Sequence, residues 1–206
     1  TDVLGGEDPY SASKAAAEMA IGSYFKSFLS NKKNLRIASA RAGNVIGGGD
    51  WTKGRLIPDC MVAASKNKIV KIRNLNSTRP WQHVIELLYG YLLLAKKLSQ
   101  NSKINGLSFN FGPNHKNKNF KVKDILVKIK KNWKNFSFKR DSKKNYKEAK
   151  LLALNCQRAK KILNWNILMS FSETVKFTVD WYKAYYSNKK NNNVLNITLN
   201  QIKKYN

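Results

Sequence analysis

A tyrosine and a lysine four residues apart, in Tyr10-Ser11-Ala12-Ser13-Lys14, carry the most direct chemistry in this sequence. Asp8 as cap and Pro9 at the first helical position predict a helix from residue 9, with both side chains on one face and their ends near the same small volume. A phenol with an ordinary pKa of about 10 is a poor base at neutral pH. A neighbouring ammonium stabilises the phenolate and makes proton removal from a sugar hydroxyl feasible. The pair reads as a base and its tuner. An exposed helix turn gives the same spacing by chance, so the surrounding stretches must decide between the two.

Those stretches describe the frame that would position the pair. The first helix is expected over residues 9–30, ending in the Asn-rich segment that follows. Residues 35–41 read as a buried strand running into Ala42-Gly43-Asn44-Val45-Ile46-Gly47-Gly48-Gly49-Asp50-Trp51. A helix feeding a strand that ends in a Gly-rich turn is a unit of a doubly wound parallel sheet, where ligands collect at the strands' carboxyl ends. Asn44 would sit at that edge. The glycines have no Lys-Ser/Thr after them and no G-x-G-x-x-G opening a helix, so they form neither a P-loop nor a dinucleotide fingerprint. They read as a tight loop. Arg55-Leu56-Ile57-Pro58-Asp59 leads into a helix to about residue 65, and residues 68–73 form a strand.

Arg79 stands at a loop end before a strongly apolar helix, where a planar guanidinium suits bidentate binding of phosphate. His83, nearby, lacks a Ser, Cys or carboxylate pattern around it and reads as a structural hydrogen-bonding group. Residues 106–111 form a strand closed by Gly112-Pro113. A helix over 122–133 and a strand over 136–139 suggest a second, smaller lobe. Asn155 caps a helix over 156–163, and Ser170 with Glu173 forms a capping box before a helix over 171–186. The Lys- and Asn-rich residues from 187 onward read as a disordered tail.

Composition narrows the class. With 42% hydrophobic residues the chain can bury a core. It holds no apolar run long enough to span a membrane and no signal-peptide pattern at its start, so a cytoplasmic location and no membrane partner are expected. Cys60 and Cys156 read as reduced thiols without metal-type spacing. The net charge of +27 would suit nucleic acid, yet Lys dominates, it is interspersed with Asn, and no nucleic-acid module is recognisable. The charge reads as compositional bias whose field still favours an anionic substrate.

Taken in order, Asp8-Pro9-Tyr10-Ser11-Ala12-Ser13-Lys14, residues 41–51, residues 55–59, Arg79-Pro80-Trp81-Gln82-His83-Val84, Asn110-Phe111-Gly112-Pro113, Glu148-Ala149 and residues 159–165 resemble the extended short-chain dehydrogenase/reductase family. Within it they are similar to the nucleotide-sugar 4,6-dehydratases, in particular those acting on CDP-glucose. The resemblance implies an α/β fold: an incomplete Rossmann-type doubly wound parallel sheet, its N-terminal half absent, with a smaller α/β substrate-binding lobe. Residues 1–50 and 81–113 would belong to the NAD-binding domain, 51–80 and 114–187 to the lobe, and 188–206 to the tail.

It also implies NAD as cofactor, a nucleotide sugar, CDP-glucose, as substrate, and a homo-oligomer. Tyr10 would be the catalytic base, with Lys14 lowering its pKa and holding the nicotinamide ribose. Ala42 and Asn44 would face the nicotinamide, while Asn44, Arg55, Leu56, Ile57, Arg79 and Glu148 would meet the substrate. The family's Gly-rich pyrophosphate turn, its Ser/Thr partner of the Tyr/Lys pair and the Asp and Lys of the elimination step have no counterpart in these stretches. The chain alone is therefore expected to be inactive. An epimerase or reductase of the same family, and a basic non-catalytic binding protein, are the alternatives.

Overall fold

A computed structural model describes residues 4–6, 8–113, 120–141, 153–187 and 194–205. Helix α1 (Pro9–Tyr24) begins as its sequence dictates, with Pro9 in the first turn and the Asp8 carboxylate accepting from the Ser11 amide (3.0 Å) and hydroxyl (2.6 Å). A π-helical turn, Phe25–Leu29, carries it to the expected end. Then come β1 (Ser39–Ala42), β2 (Asn44–Ile46), α2 (Leu56–Ser65), β3 (Ile69–Ile72), β4 (Trp81–His83) and α3 (Val84–Gln100). The chain continues through β5 (Ser108–Phe111), α4 (Val122–Asn132), β6 (Ser137–Arg140), a π-helical turn at Ala159–Leu163, α5 (Phe171–Ser187) and α6 (Val194–Tyr205).

The strands associate as three parallel pairs, β1 with β5, β2 with β4 and β3 with β6. A parallel pair cannot close through a hairpin, so helices lie between the partners in sequence. Two cores result. One gathers Leu87 and Leu94 of α3, Phe109 and Phe111 of β5, and Cys156, Ala159, Leu163 and Trp165. The other joins α2, β3, α4 and α5 through Met61, Ile72, Ile125, Leu126, Phe136, Val179 and Tyr182. The alternation along β5, with Phe109 and Phe111 buried and Ser108 and Asn110 less so, is the period-2 signature of a strand with one face inward.

Three expectations are corrected. The segment after β1 is not wholly a loop: Asn44–Ile46 forms β2, because its backbone finds a ladder on β4, with Asn44 opposite Trp81 and Ile46 opposite His83. Residues 156–165, expected with the smaller lobe, pack into the first core because Leu163 and Trp165 bury their whole side chains there. The disordered tail contains α6. Its Lys/Asn composition hides an inward row at helical spacing, in which Thr198 accepts from the Trp181 indole (2.9 Å), Gln201 donates to the Phe177 carbonyl (2.8 Å) and Tyr205 donates to Glu86 (2.8 Å).

His83 is a structural residue, as its surroundings in the sequence suggested. It is 2% exposed, its Nδ1 accepts from the Ile85 amide (3.3 Å) at the start of α3, and its ring meets Phe177 edge-on at 5.7 Å. Burial disfavours the imidazolium and pushes its pKa down to about 4. Glu86, fully buried beside it in sequence, is pushed the other way by desolvation while the Leu168 and Met169 amides and Tyr205 hold it.

A base whose folded pKa is depressed leaves the unfolded chain binding more protons, so its contribution is complete above about pH 6.5 and is lost as the pH falls toward 4. The loss attributable to His83 is about 3 kcal/mol. Glu86 contributes with the opposite sign, so a variant must isolate the imidazole. His83→Asn keeps an acceptor for the Ile85 amide and should flatten the unfolding free energy between pH 6.5 and 4.5, measured by urea denaturation at each pH.

Candidate functional site

The chain leaves β1 and enters β2 through Gly43, and a cleft opens there between the two cores. At Gly43 a Cβ would lie 2.6 Å from the Pro80 carbonyl oxygen, so the two backbones approach only because the residue has no side chain. The Gly43 amide donates to the Phe111 carbonyl (3.2 Å), and the Gln82 side-chain amide donates to the same oxygen (2.9 Å). One carbonyl at the end of β5 thereby ties down both sides of the crossing.

The cleft has a volume of about 790 Å³ and is lined by Tyr10, Ala42, Asn44, Arg55, Leu56, Ile57 and Arg79, among others. Seven of the nine residues singled out from sequence therefore share one cavity wall. Lys14 stands beside it, its ammonium 5.6 Å from the centroid of the Tyr10 ring. Tyr10 is 71% exposed and Lys14 is also exposed. The pair is assembled as the i, i+4 spacing required, but it is open to water, where an ammonium acts on a neighbouring phenol far more weakly than in a dry site. Glu148 lies outside the described residues.

An ion pair invisible to sequence reasoning positions α1. The Glu18 carboxylate accepts both Nε and Nη2 of Arg41 in a bidentate bridge, half shielded from solvent. Arg41 precedes Ala42 on β1, so this bridge joins the helix of Tyr10 to the strand that delivers the cleft floor. The Glu18 hydrogen bond raises the guanidinium above its ordinary pKa. Glu18 lay in the predicted first helix and Arg41 in a quoted motif, but nothing about their types alone pairs positions 23 apart.

Asp50 is a second residue the sequence did not single out. It lines the cleft and faces Arg55 at 3.6 Å. Partial burial works against its charge, yet the Thr52 hydroxyl and amide and the Arg55 guanidinium hold it below the usual carboxylate range. Its backbone is fixed too, because the Tyr182 hydroxyl donates to the Asp50 carbonyl and accepts from its amide. The glycines before it serve an aromatic neighbour: a Cβ at Gly48 would collide with the Trp181 indole.

A smaller recess of about 240 Å³ shares Asn44, Leu56, Arg79 and Trp81 and continues along β3 past Lys71, Arg73 and Asn74. Its walls are polar and cationic at one end and apolar at the other. Arg79 itself donates to the Thr78 carbonyl (2.8 Å). Among the described residues no group of three His, Cys, Asp or Glu is placed to hold a metal ion. Both cysteines are free and buried, and burial pushes the Cys156 thiol up to about 11 and Cys60 higher still. No described helix is long and apolar enough to cross a membrane.

This architecture is the Rossmann-type fold of epimerases and dehydratases. The structure superposes on an epimerase from Methanothermobacter thermautotrophicus with a TM-score of 0.74 at 18% identity, covering 90% of this chain and 53% of that one. On dTDP-glucose 4,6-dehydratase from Bacillus anthracis, solved in complex with NAD, the TM-score is 0.69 at 22% identity, covering 88% and 54%.

Residues 1–178 match the family model described as GDP-mannose 4,6 dehydratase, and the chain belongs to that family. CDP-glucose 4,6-dehydratase of Salmonella typhimurium is 39% identical to it over 187 residues, 88% of this chain. The chain spans 52% of the length of that relative.

The Glu18–Arg41 bridge generates a test. Glu18→Gln keeps the side chain's size and removes its charge, and the loss of charge-assisted bonding should cost roughly 1–2 kcal/mol. Amide exchange should quicken along Pro9–Tyr24 while α4 and α5 stay protected. Hydrogen–deuterium exchange read by mass spectrometry distinguishes this local loosening from a general one.

Proposed function

We propose that this chain is the substrate-facing half of a NAD-dependent nucleotide-sugar 4,6-dehydratase acting on CDP-glucose. The observation that carries the reading is the convergence of Tyr10, Asn44, Arg55 and Arg79, from four separate stretches, on one cleft. The identity to the Salmonella CDP-glucose enzyme supports the nucleotide. In this reading the first core belongs to the cofactor domain and the second to the substrate lobe.

The residues fit one end of NAD. The Tyr10/Lys14 pair would hold the nicotinamide ribose and the backbone at Ala42–Asn44 would border the ring. Among the described residues the other end has no cradle: Gly47 rests on Val84, Gly48 and Gly49 rest on Trp181, and a loop follows them, not a helix whose amides could receive a pyrophosphate. When bound, NAD supplies hydride acceptance and return. Tyr10 would take the proton of the C4 hydroxyl as C4 is oxidised. The 4-keto group would acidify the C5 proton, so that this proton and the C6 hydroxyl could leave as water, and the returned hydride at C6 would be matched by a proton at C5. Arg79 and Arg55 would meet the diphosphate, with Asp50 keeping Arg55 oriented.

The groups for the elimination step are to be sought in the other half. Tyr10, Lys14, Ala17, Ile21 and Tyr24 follow one another at i+3 and i+4 spacing along one stripe of α1, Phe28 continues it in the π-helical turn, and all are exposed. Ala15 alone of the helix is buried. An apolar stripe of this length, beside a strand that among the described residues pairs on one edge only, fits a further parallel α/β unit.

The chain, co-expressed with the part of the Salmonella enzyme that it does not match, should form a stable complex. Given CDP-glucose and NAD, that complex should release a 4-keto-6-deoxy sugar nucleotide. Tyr10→Phe should lower turnover by about a hundred- to ten-thousandfold without preventing assembly. A 4-epimer as product would replace the dehydratase by an epimerase. Failure of the two parts to associate would remove the half-enzyme reading.

A further inference from the structure

Helix α6 lies beyond the residues matched by the family model and packs on α5, whose Trp181 rests against the back of the cleft wall. Thr198 donates its hydroxyl to the Val194 carbonyl and accepts the indole N–H of Trp181 at 2.9 Å. That indole fills the space a side chain at Gly48 would need and reaches to Gly49. It also stacks on Tyr185 with an interplanar angle of 6° and meets Trp51 edge-on at 5.8 Å. Gly47, Gly48 and Asp50 face the cleft on their other side.

A chain of direct contacts therefore runs from α6 through one indole to the backbone of the cleft wall. The far end of α6 is anchored independently, by Gln201 on Phe177 and by Tyr205 on the buried Glu86. The helix is thus fixed at three points, one of them the hydroxyl of Thr198 that accepts from the indole resting on Gly48.

We propose that α6 is a positioning element for the cleft, in which Thr198, acting through Trp181, fixes Gly48 and Gly49, between Gly47 on Val84 and Asp50 on Tyr182, in the form that receives ligand. Glycines carry no side chain to lock their own conformation, so the wall takes its shape from what it rests on. A wall with only one permitted form holds a ligand more tightly than one that must be ordered on binding. The nature of the ligand rests on the reading above; the positioning does not.

Thr198→Val removes the acceptor and keeps the shape, whereas Thr198→Ser restores the acceptor. In the isotope-labelled full chain, the valine variant should shift the Trp181 indole resonance and speed amide exchange at Gly48 and Gly49 by about three- to tenfold. Exchange in α4 and along β3 should stay unchanged. The apparent Kd for CDP, titrated by the same spectra, should rise by a similar factor, and the serine variant should recover all three readouts.

A moved indole resonance with unaltered exchange at Gly48 and Gly49 would overturn the proposal, as would an increase spread evenly over the chain. Failure of serine to restore the glycine exchange would do the same. If the unmodified chain does not bind CDP, the nucleotide reading fails, while the exchange measurements still decide whether α6 positions the wall.

Discussion

The carbonyl of Phe111 is the point on which this structure turns. It ends β5, and it accepts from the amide of Gly43 and from the side chain of Gln82, two groups that belong to the neighbouring β2–β4 pair or its entrance. The two strand pairs are thereby joined by hydrogen bonds to a single oxygen, across a crossing that admits no Cβ. Ala42 and Asn44 flank the crossing, Arg79 and Pro80 face it, and Arg41 behind it holds α1 through Glu18. The helix that carries Tyr10 is thus linked to Phe111 through Glu18, Arg41 and β1.

Charge acts on this cleft at two ranges. At short range Asp50 and Arg55 compensate each other at 3.6 Å, which keeps a carboxylate in a place otherwise suited to anions. At long range the net charge of +27 creates a field that draws any diphosphate toward the surface and that salt screens within about 10 Å. The field raises encounter rates. Direction comes only at short range, and Asn44 and Arg79 line both the cleft and the recess along β3.

What the sequence revealed and what it hid divide along a physical line. Helix starts were legible because their signals are local: Asp8 caps Ser11, and Ser170 and Glu173 exchange hydrogen bonds across three residues, at 2.7 and 3.2 Å. The cleft residues were legible because they sit at strand ends or at helix entrances, where a short motif marks the place. Strand β2 was not, since three residues acquire strand geometry only from a partner 37 positions later. Neither the Glu18–Arg41 bridge nor the support of Gly48 by Trp181 was legible, because each joins residues far apart in sequence. Helix α6 was obscured by composition: its asparagines and lysines face water, and the residues that dock it are polar groups making directed bonds, which a hydropathy reading does not weigh.

The state of the Tyr10/Lys14 pair and the state of the rest of α1 are a single physical question. Ala17, Ile21, Tyr24 and Phe28 continue the stripe on which the pair lies, so a surface that covers the apolar residues also passes over the pair. Covering them yields the hydrophobic gain that makes association favourable. Drying the pair strengthens the influence of an ammonium on a phenol, since the same charge at the same distance acts through a lower dielectric. The stripe therefore ties the exposure of the pair to that of the apolar residues: a surface that buries the one set dries the other.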